Sequence, residues 1–223
     1  MALTLYFNPI SQPSRSIVTF LHLNDIKYEK KSIDIFKGEQ KSAEYTSINP
    51  LQQVPAIKDG NFVLNETEAI MKYLMNTRKT GELYYPKDPK TRAIIDRYMP
   101  FHHSFVRPKM SAYFVAYCAQ LFKENKIDIE AARKTAEEAI AAFEKVFLRD
   151  QKYIADDILT IADIFVVNEL TQLYFATDLD FAQFPKIKEY IERCLQNPVL
   201  REVNKPLKEY GETLKEKIAA ASQ

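Results

Sequence analysis

The first 78 residues alternate short apolar runs with segments of helical periodicity. Leu3–Phe7 is apolar and aromatic, as expected for a buried strand, and Arg15–Leu23 carries apolar residues at helical spacing. Tyr28–Ile33 predicts a second strand, and residues 42–46 predict a short helix. A strand, a helix and a strand in this order predict a βαβ unit with parallel strands and a right-handed crossover.

The rest of this region predicts an antiparallel hairpin followed by a helix. The short apolar runs Ala56–Ile57 and Phe62–Leu64 flank the sequence KDGN, and an Asp-Gly pair between such runs is a strong hairpin signal. Glu66–Asn76 then has apolar residues at helical spacing. Residues 1–78 are therefore predicted to form one α/β domain with the element order βαβ-ββα.

After this domain the hydrophobic pattern is helical. Residues 79–90, KTGELYYPKDPK, contain a glycine and two prolines, which indicates a linker. From 129 to 147 the apolar positions define one helix face. Thr160 with Asp163 resembles a capping box, with Asp in place of the more common Glu. The predicted fold class is α/β + all-α, with an all-helical domain at residues 91–223.

Composition and charge exclude several classes of protein. The 31 basic and 30 acidic residues nearly balance, and no block of like charge favours nucleic acid or a membrane surface. No apolar run approaches the roughly 20 residues that span a bilayer, and the N-terminus lacks the features of a signal peptide. Two cysteines and three histidines make neither a disulfide framework nor a metal site. We therefore expect a reduced, cytoplasmic protein without a metal, in which only the final AAASQ is disordered.

The segment ISQPSR, from Ile10 to Arg15, lies between the first predicted strand and the first predicted helix. Pro13 suits the start of a helix, where a missing N–H costs nothing, and Ser11 or Gln12 is suited to cap that helix. The same position also suits an anion, because a helix N-terminus offers unpaired N–H groups and positive potential. The local sequence favours the cap but leaves both roles for Ser11 open.

The chain resembles the cytosolic glutathione transferases in several motifs that occur in the family's order. The most specific is NPLQQVPAIKDGNFVLNETEAIMKYL, at Asn49–Leu74, and LTIADI at Leu159–Ile164 resembles the family's helix start in the second domain. SQPSR, together with VRP near Arg107, is most similar to the theta class, in which a serine rather than a tyrosine serves the thiol. The resemblance covers the whole chain. It implies a thioredoxin-like domain that binds glutathione, a helical domain that carries the electrophile site, and a homodimer.

The same resemblance makes Ser11 the residue that activates the glutathione thiol. Its hydroxyl would donate a hydrogen bond to the thiolate and would not act as a covalent nucleophile. Tyr6, at the end of the first strand, is the competing candidate because other classes use a tyrosine there, but SQPSR favours Ser11. The family also implies that the Val54-Pro55 bond is cis, and that the backbone of Val54 pairs with the cysteinyl backbone of glutathione.

The two ends of glutathione are assigned by the same resemblance. Glu66 would bind the ammonium group, and Thr67 would bind the γ-glutamyl carboxylate through its hydroxyl and the helix N–H groups. Gln40 and Gln53 stand near the expected glycyl carboxylate, where theta members often have histidine and lysine. Because amides bring no charge, we expect weak binding of glutathione unless Lys41 compensates.

The second substrate is expected over the first long helix of the helical domain. Arg107 would steady an anionic leaving group or the thiolate, and Met110, Tyr113 and Phe114 would line an apolar pocket. The alternatives are a surface arginine and a stripe of core residues. The implied partners are glutathione and small electrophilic or apolar molecules, with no cofactor besides this co-substrate.

The predicted activity is that of a glutathione transferase, in which the bound thiolate attacks an electrophilic carbon. Reduction of peroxides by the same thiolate is a compatible side activity. The uncharged glutamines favour an alternative, a binding or assembly protein that keeps the fold without catalysis, whereas Ser11, Pro55 and Glu66-Thr67 favour the enzyme. A glutaredoxin-type thiol oxidoreductase is nearly excluded, because the first domain contains no cysteine to form the mixed disulfide.

Overall fold

The computed structural model describes residues 3–122, 126–155 and 157–221. The chain forms two compact units. The first unit ends at Glu82, and the second begins at Leu83. Each unit has its own core.

The first unit is built on a mixed sheet. Its described strands are β1 (Leu3–Phe7), β2 (Glu29–Ser32), β3 (Ala56–Asp59) and β4 (Phe62–Asn65), in the order β2-β1-β3-β4. β1 and β2 are parallel, whereas β3 pairs antiparallel with both β1 and β4. The hairpin turn contains Gly60, whose φ of 64° is readily adopted by glycine. The predicted βαβ-ββα order is confirmed.

Two helices form the main core of this unit with the sheet. α1 (Gln12–Leu23) packs against α3 (Thr67–Arg78), which also packs against β3 and β4. Among the fully buried apolar residues of these elements are Leu5, Ile17, Phe20, Leu21, Ile57, Ile70, Met71 and Leu74. α1 begins earlier than the predicted Arg15, because Ser11 caps it and Pro13 fits its first turn.

The opposite face of the sheet carries a smaller cluster. α2 (Ala43–Ile48) follows a 3-10 turn at Glu39–Lys41. Because successive side chains of a strand point to opposite faces, Tyr6 lies on the other side of β1 from Leu5. The rings of Tyr6 and Tyr45 have centroids 5.8 Å apart and form the centre of this cluster.

The second unit is helical, as predicted. Its described α-helices are α4 (Pro89–Phe101), α5 (Arg107–Ala119), α6 (Ile129–Phe143), α7 (Ile161–Ala176), α8 (Pro185–Gln196) and α9 (Pro198–Ala221). Short π-helical segments follow α4 and α6, at His102–Val106 and Glu144–Leu148. α4 begins inside the segment predicted as a linker, because Asp88 caps it by accepting a hydrogen bond from the Thr91 backbone N–H at 2.8 Å.

α7 is the central helix of the second unit. Nearly all of its side chains are buried, and it packs against α4, α5, α8 and α9. The predicted capping box is present at its start, where the Thr160 backbone N–H donates to the Asp163 carboxylate at 2.9 Å. The same carboxylate accepts a hydrogen bond from the Tyr190 hydroxyl at 2.8 Å. Burial raises the pKa of Asp163, although these hydrogen bonds favour its charged form.

Two contacts fix α9 against α7. In the first, the Thr171 hydroxyl donates to the side-chain carbonyl of Asn204 at 2.9 Å. The side-chain amide of Asn204 in turn donates to the side-chain carbonyl of Asn168 at 3.3 Å. In the second, Gly211 approaches α7 so closely that a Cβ atom would lie 2.3 Å from the carbonyl oxygen of Phe175. Glycine is therefore required at this close approach of two backbones.

α9 continues to Ala221, so the prediction of disorder for AAASQ is wrong for its three alanines. Alanine has the highest helix propensity, and the buried side chains of Leu214 and Ile218 anchor this part of α9. Ser222 and Gln223 lie outside the described residues. Across the described ranges, no helix is both long enough and apolar enough to cross a membrane.

Candidate active site

Ser11 is the N-cap residue of α1. Its backbone is extended, with φ −71° and ψ 122°, and its Oγ accepts a hydrogen bond from the Ser14 backbone N–H at 3.4 Å. A hydroxyl has one proton to donate besides the lone pairs that accept, and no described residue accepts a hydrogen bond from the Ser11 hydroxyl. The cap and the thiolate donor are therefore compatible roles, since the cap uses a lone pair and leaves the proton available.

The loop before Ser11 is held by Asn8, which is buried. The Asn8 side-chain amide donates to the carbonyl oxygen of Ile33 at 2.9 Å, and its side-chain carbonyl accepts from the Ile10 N–H at 2.9 Å. The Ser11 N–H in turn donates to the Asn8 backbone carbonyl at 3.1 Å. Asn8 thus ties the end of β1 to the start of α1. Sequence reasoning missed this residue, although an asparagine before a proline at a strand end is a turn signal.

Arg15 supports the same loop from within α1. Its side chain is almost fully buried, and its Nη1 donates to the Ile10 carbonyl oxygen at 2.6 Å. Its backbone N–H donates to the Ser11 carbonyl at 2.9 Å. A buried guanidinium group requires such hydrogen bonds. Arg15 was recognised in the sequence only as part of a motif, because nothing local shows that its side chain is buried.

Tyr6, the competing candidate, has the environment of a packed strand residue. It is 8% exposed and lies in the cluster with Tyr45 and Ala56. The ammonium group of Lys31 lies 5.7 Å from its ring centroid. Tyr6 therefore has a packing role in the first unit.

The Val54-Pro55 bond is cis, as the family resemblance implied. Val54 is half-buried against the Tyr6 and Tyr45 cluster. Its backbone N–H and carbonyl make no hydrogen bond within the described part of the chain. These two groups are therefore available to pair with an extended peptide, in the manner of an added strand.

The loop that carries Val54 is fixed by a network around Asn49. The Gln53 carbonyl oxygen accepts hydrogen bonds from the Tyr45 hydroxyl at 2.6 Å and from the Asn49 side-chain amide at 2.7 Å. The amide of Asn65 donates to the Asn49 side-chain carbonyl at 2.8 Å. Burial raises the pKa of Tyr45 to about 12, so its hydroxyl remains a donor at neutral pH. The sequence showed Asn49 only as part of a motif and not as the centre of this network.

Glu66 and Thr67 stand at the start of α3. Glu66 is exposed and has φ 65° and ψ 112°, a conformation that is unfavourable for a residue other than glycine. Such outliers are common at functional sites. The Glu66 side chain makes no capping hydrogen bond to the first N–H groups of α3, and Thr67 is buried at its first position. The start of α3 can therefore accept an anionic group of a ligand.

Gln40 and Gln53 have different surroundings. Gln40 is half-buried in the 3-10 turn, and its Oε1 atom is buried without a hydrogen-bond partner among the described residues. The side chain of Gln53 is exposed, as is that of Lys41. No hydrogen bond joins these three side chains in the described structure. Their assignment to the glycyl carboxylate stays a prediction.

The candidate residues of the second unit lie on α5. Arg107 is its first residue, and its Nη1 donates to Glu169 Oε1 at 2.5 Å. Met110 and Tyr113 are buried, and Phe114 is half-buried. The first two thus have the burial of a core stripe, which was the alternative to a pocket lining. The role of all four residues toward a second substrate stays a prediction.

The first unit has a thioredoxin-like arrangement, with a parallel β1-β2 pair, an antiparallel β3-β4 hairpin and a cis-proline before β3. Two family models match the chain in the corresponding order. The model described as "Glutathione S-transferase, N-terminal domain" matches residues 1–76, and the model described as "Glutathione S-transferase, C-terminal domain" matches residues 94–198. The chain therefore belongs to the glutathione S-transferase family.

Several similar curated proteins are of the theta class. Mouse glutathione S-transferase theta-3 is 32% identical over 86% of this chain and 82% of its own length. Human glutathione S-transferase theta-1 is 30% identical with the same two coverages. Rat glutathione S-transferase theta-2 is 30% identical over 93% of this chain and 87% of its own length.

Solved structures with a similar fold include two human theta-class enzymes. Human glutathione transferase theta-2 in complex with glutathione has a TM-score of 0.86 at 29% identity, covering 97% of this chain and 91% of that one. The apo form of human glutathione-S-transferase T1-1 has a TM-score of 0.87 at 26% identity, with complete coverage of both chains. A delta-class enzyme of Nilaparvata lugens has a TM-score of 0.83 at 26% identity, covering 96% of this chain and 99% of that one.

Proposed function

We propose that the chain conjugates glutathione to small electrophilic molecules, and that Ser11 stabilises the glutathione thiolate. The observation that carries this proposal is the Ser11 hydroxyl, which caps α1 by accepting a hydrogen bond and keeps its own proton available. A free thiol has a pKa near 8.5, so only a few per cent is ionised at neutral pH. Lowering that pKa by one or two units requires about 1.4–2.7 kcal/mol, which is the range of a hydrogen bond to a charged group.

The rest of glutathione is assigned along the edge of the first unit. The backbone groups of Val54 pair with the cysteinyl residue, and the carboxylate of Glu66 binds the α-ammonium group. Thr67 and the uncapped N–H groups of α3 bind the γ-glutamyl carboxylate. The side-chain amides of Gln40 and Gln53 are neutral donors, and the glycyl carboxylate accepts their hydrogen bonds.

In the reaction, the thiolate attacks an electrophilic carbon. A carbon–sulfur bond forms while the bond to the leaving group breaks, and the electron pair leaves with the departing anion. We assign the electrophile to the helical domain, where Arg107 steadies the anion, and Met110, Tyr113 and Phe114 supply apolar surface. With a peroxide, the same thiolate attacks oxygen, the oxygen–oxygen bond breaks, and an alcohol leaves after protonation while the sulfur becomes a sulfenic acid. A second glutathione then attacks that sulfur, which forms the disulfide and releases water.

We also expect that two copies of the chain associate and that the enzyme works in the cytosol, as the family implies. Light scattering at several protein concentrations measures the association directly. A monomer at every concentration would contradict the first of these expectations.

The activity is tested by calorimetric titration with glutathione, followed by turnover with a panel of alkyl halides, aryl halides and unsaturated ketones. Saturable binding with turnover of at least one electrophile is the expected result. Binding without turnover of any electrophile would instead favour a non-catalytic binding protein. Loss of binding on replacing Glu66 with Gln, with the fold retained, would support the orientation of the ligand.

A further inference from the structure

The Arg107 guanidinium is anchored at one end by a buried carboxylate. Its Nη1 contacts Glu169 Oε1 at 2.5 Å, and the Glu169 side chain is 2% exposed, whereas that of Arg107 is 34% exposed. The two residues are 62 positions apart, on α5 and α7. The guanidinium is therefore held at Nη1 by a buried carboxylate, while about a third of the Arg107 side chain is exposed. This geometry fits a cation that is held in one orientation while it offers further N–H groups.

The carboxylate of Glu169 also lies near His102. His102 Nε2 lies 3.9 Å from the same Oε1 atom, and the His102 Nδ1 atom lies 3.0 Å from the Tyr98 hydroxyl. Burial lowers the pKa of His102 well below its usual value, and the nearby Arg107 lowers it further. His102 is therefore neutral at pH 7, and Arg107 brings a full positive charge to Glu169.

We propose that Glu169 is a positioning residue for Arg107, which orients the guanidinium and offsets its charge so that a departing anion is held only weakly. This inference rests on the proposed function, in which Arg107 meets the leaving group. An anion beside Arg107 is attracted by the guanidinium and repelled by the nearby carboxylate. The pair therefore offers directed hydrogen bonds without a net positive charge, which favours release of the anion after each turnover.

The test replaces Glu169 with Gln, which keeps the shape and an acceptor oxygen but removes the charge. Bromide is the probe, used as an inhibitor of conjugation at constant ionic strength held with gluconate. The inhibition constant for bromide should fall roughly tenfold, because a repulsive charge within several ångströms of the anion is lost. With an alkyl bromide as substrate, kcat and KM should fall together, since the released bromide stays bound longer. An unsaturated ketone releases no anion and should show smaller changes in both constants.

A matched control is Glu138→Gln, which removes a carboxylate of the same unit that pairs with Lys109 at 2.9 Å. This control should not change the inhibition by bromide. Glu169→Asp keeps the charge and should restore an inhibition constant close to that of the parent protein. Adding Arg107→Met to Glu169→Gln should remove the gain in bromide binding, because the cation that attracts the anion is then absent.

The outcomes separate this inference from the proposed function. If Arg107→Met weakens inhibition by bromide but Glu169→Gln does not strengthen it beyond Glu138→Gln, the positioning role of Glu169 is overturned and the role of Arg107 stands. If Arg107→Met leaves inhibition and turnover unchanged, Arg107 does not meet the leaving group, and both statements are overturned. Tighter inhibition in Glu169→Gln that is reversed in the double variant supports the inference.

Discussion

Replacing Ser11 with alanine removes the donor proposed for the thiolate and leaves the backbone of α1 in place. The hydrogen bond that it loses as a cap is long, at 3.4 Å, so the free energy of unfolding should fall by no more than about 1 kcal/mol. By contrast, a hydrogen bond to an anion contributes about 1.5–3 kcal/mol, which corresponds to roughly tenfold to hundredfold in rate. We therefore expect a large loss of turnover with a small loss of stability.

The chain offers a matched control for this variant in Ser42, which caps α2. Its Oγ accepts a hydrogen bond from the Tyr45 backbone N–H at 3.1 Å. Ser42→Ala and Ser11→Ala each lose one cap, but only Ser11→Ala loses the proposed donor to sulfur. The assays are turnover, urea unfolding, and titration of the bound thiol by the ultraviolet absorbance of its thiolate. In Ser11→Ala the pKa of the bound thiol should rise by about one to two units.

Two results would refute this reasoning. Equal losses of turnover in Ser11→Ala and Ser42→Ala would show that the effect comes from the cap and not from the thiolate. Tyr6→Phe keeps the ring in its cluster and removes only the hydroxyl. If Tyr6→Phe abolished turnover while Ser11→Ala did not, the serine assignment would be wrong and the tyrosine would take its place.

Three further predictions concern binding and stability. Gln53→Lys should tighten glutathione binding by roughly 1 kcal/mol, or about fivefold, the difference between a charged and a neutral hydrogen bond; calorimetry that shows no gain would mean that position 53 does not face the glycyl carboxylate. Tyr45→Phe removes the 2.6 Å hydrogen bond to the Gln53 carbonyl and should lower the free energy of unfolding by about 1 kcal/mol while weakening glutathione binding; unchanged affinity would contradict the positioning role of the network. Below pH 6.5 an unfolded chain protonates His102, whose folded pKa is held well below that value by burial, so the free energy of unfolding should fall by up to about 1.4 kcal/mol per pH unit on acidification. Urea titrations above and below this pH should show that the free energy of unfolding changes less with pH in His102→Gln than in the parent protein. An equal change in both proteins would exclude His102 as the source of the pH dependence.

The parts of the fold that the sequence predicted depend on residues close together in the chain. The Asp-Gly turn between β3 and β4 involves neighbours, and so does the capping box, in which Thr160 and Asp163 are one helical turn apart. The Val-Pro bond was predicted by resemblance and is cis. The apolar periodicity placed the start of α1 too late, at Arg15, because that periodicity begins only after the polar first turn. The predicted cap at Ser11 and the proline at the helix start are both confirmed.

The supporting residues of the site depend on contacts that no local pattern contains. Asn8 reaches Ile33, 25 positions away, and Asn65 reaches Asn49, 16 positions away. Asn8 stands in a loop, where the residue type by itself indicates only a turn, and Asn65 is the last residue of β4. Glu169, the partner of Arg107, was missed because the two residues are 62 positions apart. It also lies in a helix whose other side chains are mostly apolar. Such partners become visible only when the packing of the elements is known.

The contact between α9 and α7 has a consequence for how this part of the chain can change during evolution. Asn204 and Gly211 are the two fixed points, and their spacing of seven positions places them on one side of the helix. Substitutions at the exposed positions between them leave this alignment intact. Insertion of one residue would rotate the following part of α9 by about 100°, so Gly211 would turn away and a residue with a side chain would meet the backbone of Phe175. α9 should therefore accept many exchanges of residue type across relatives but no change of length between these two points.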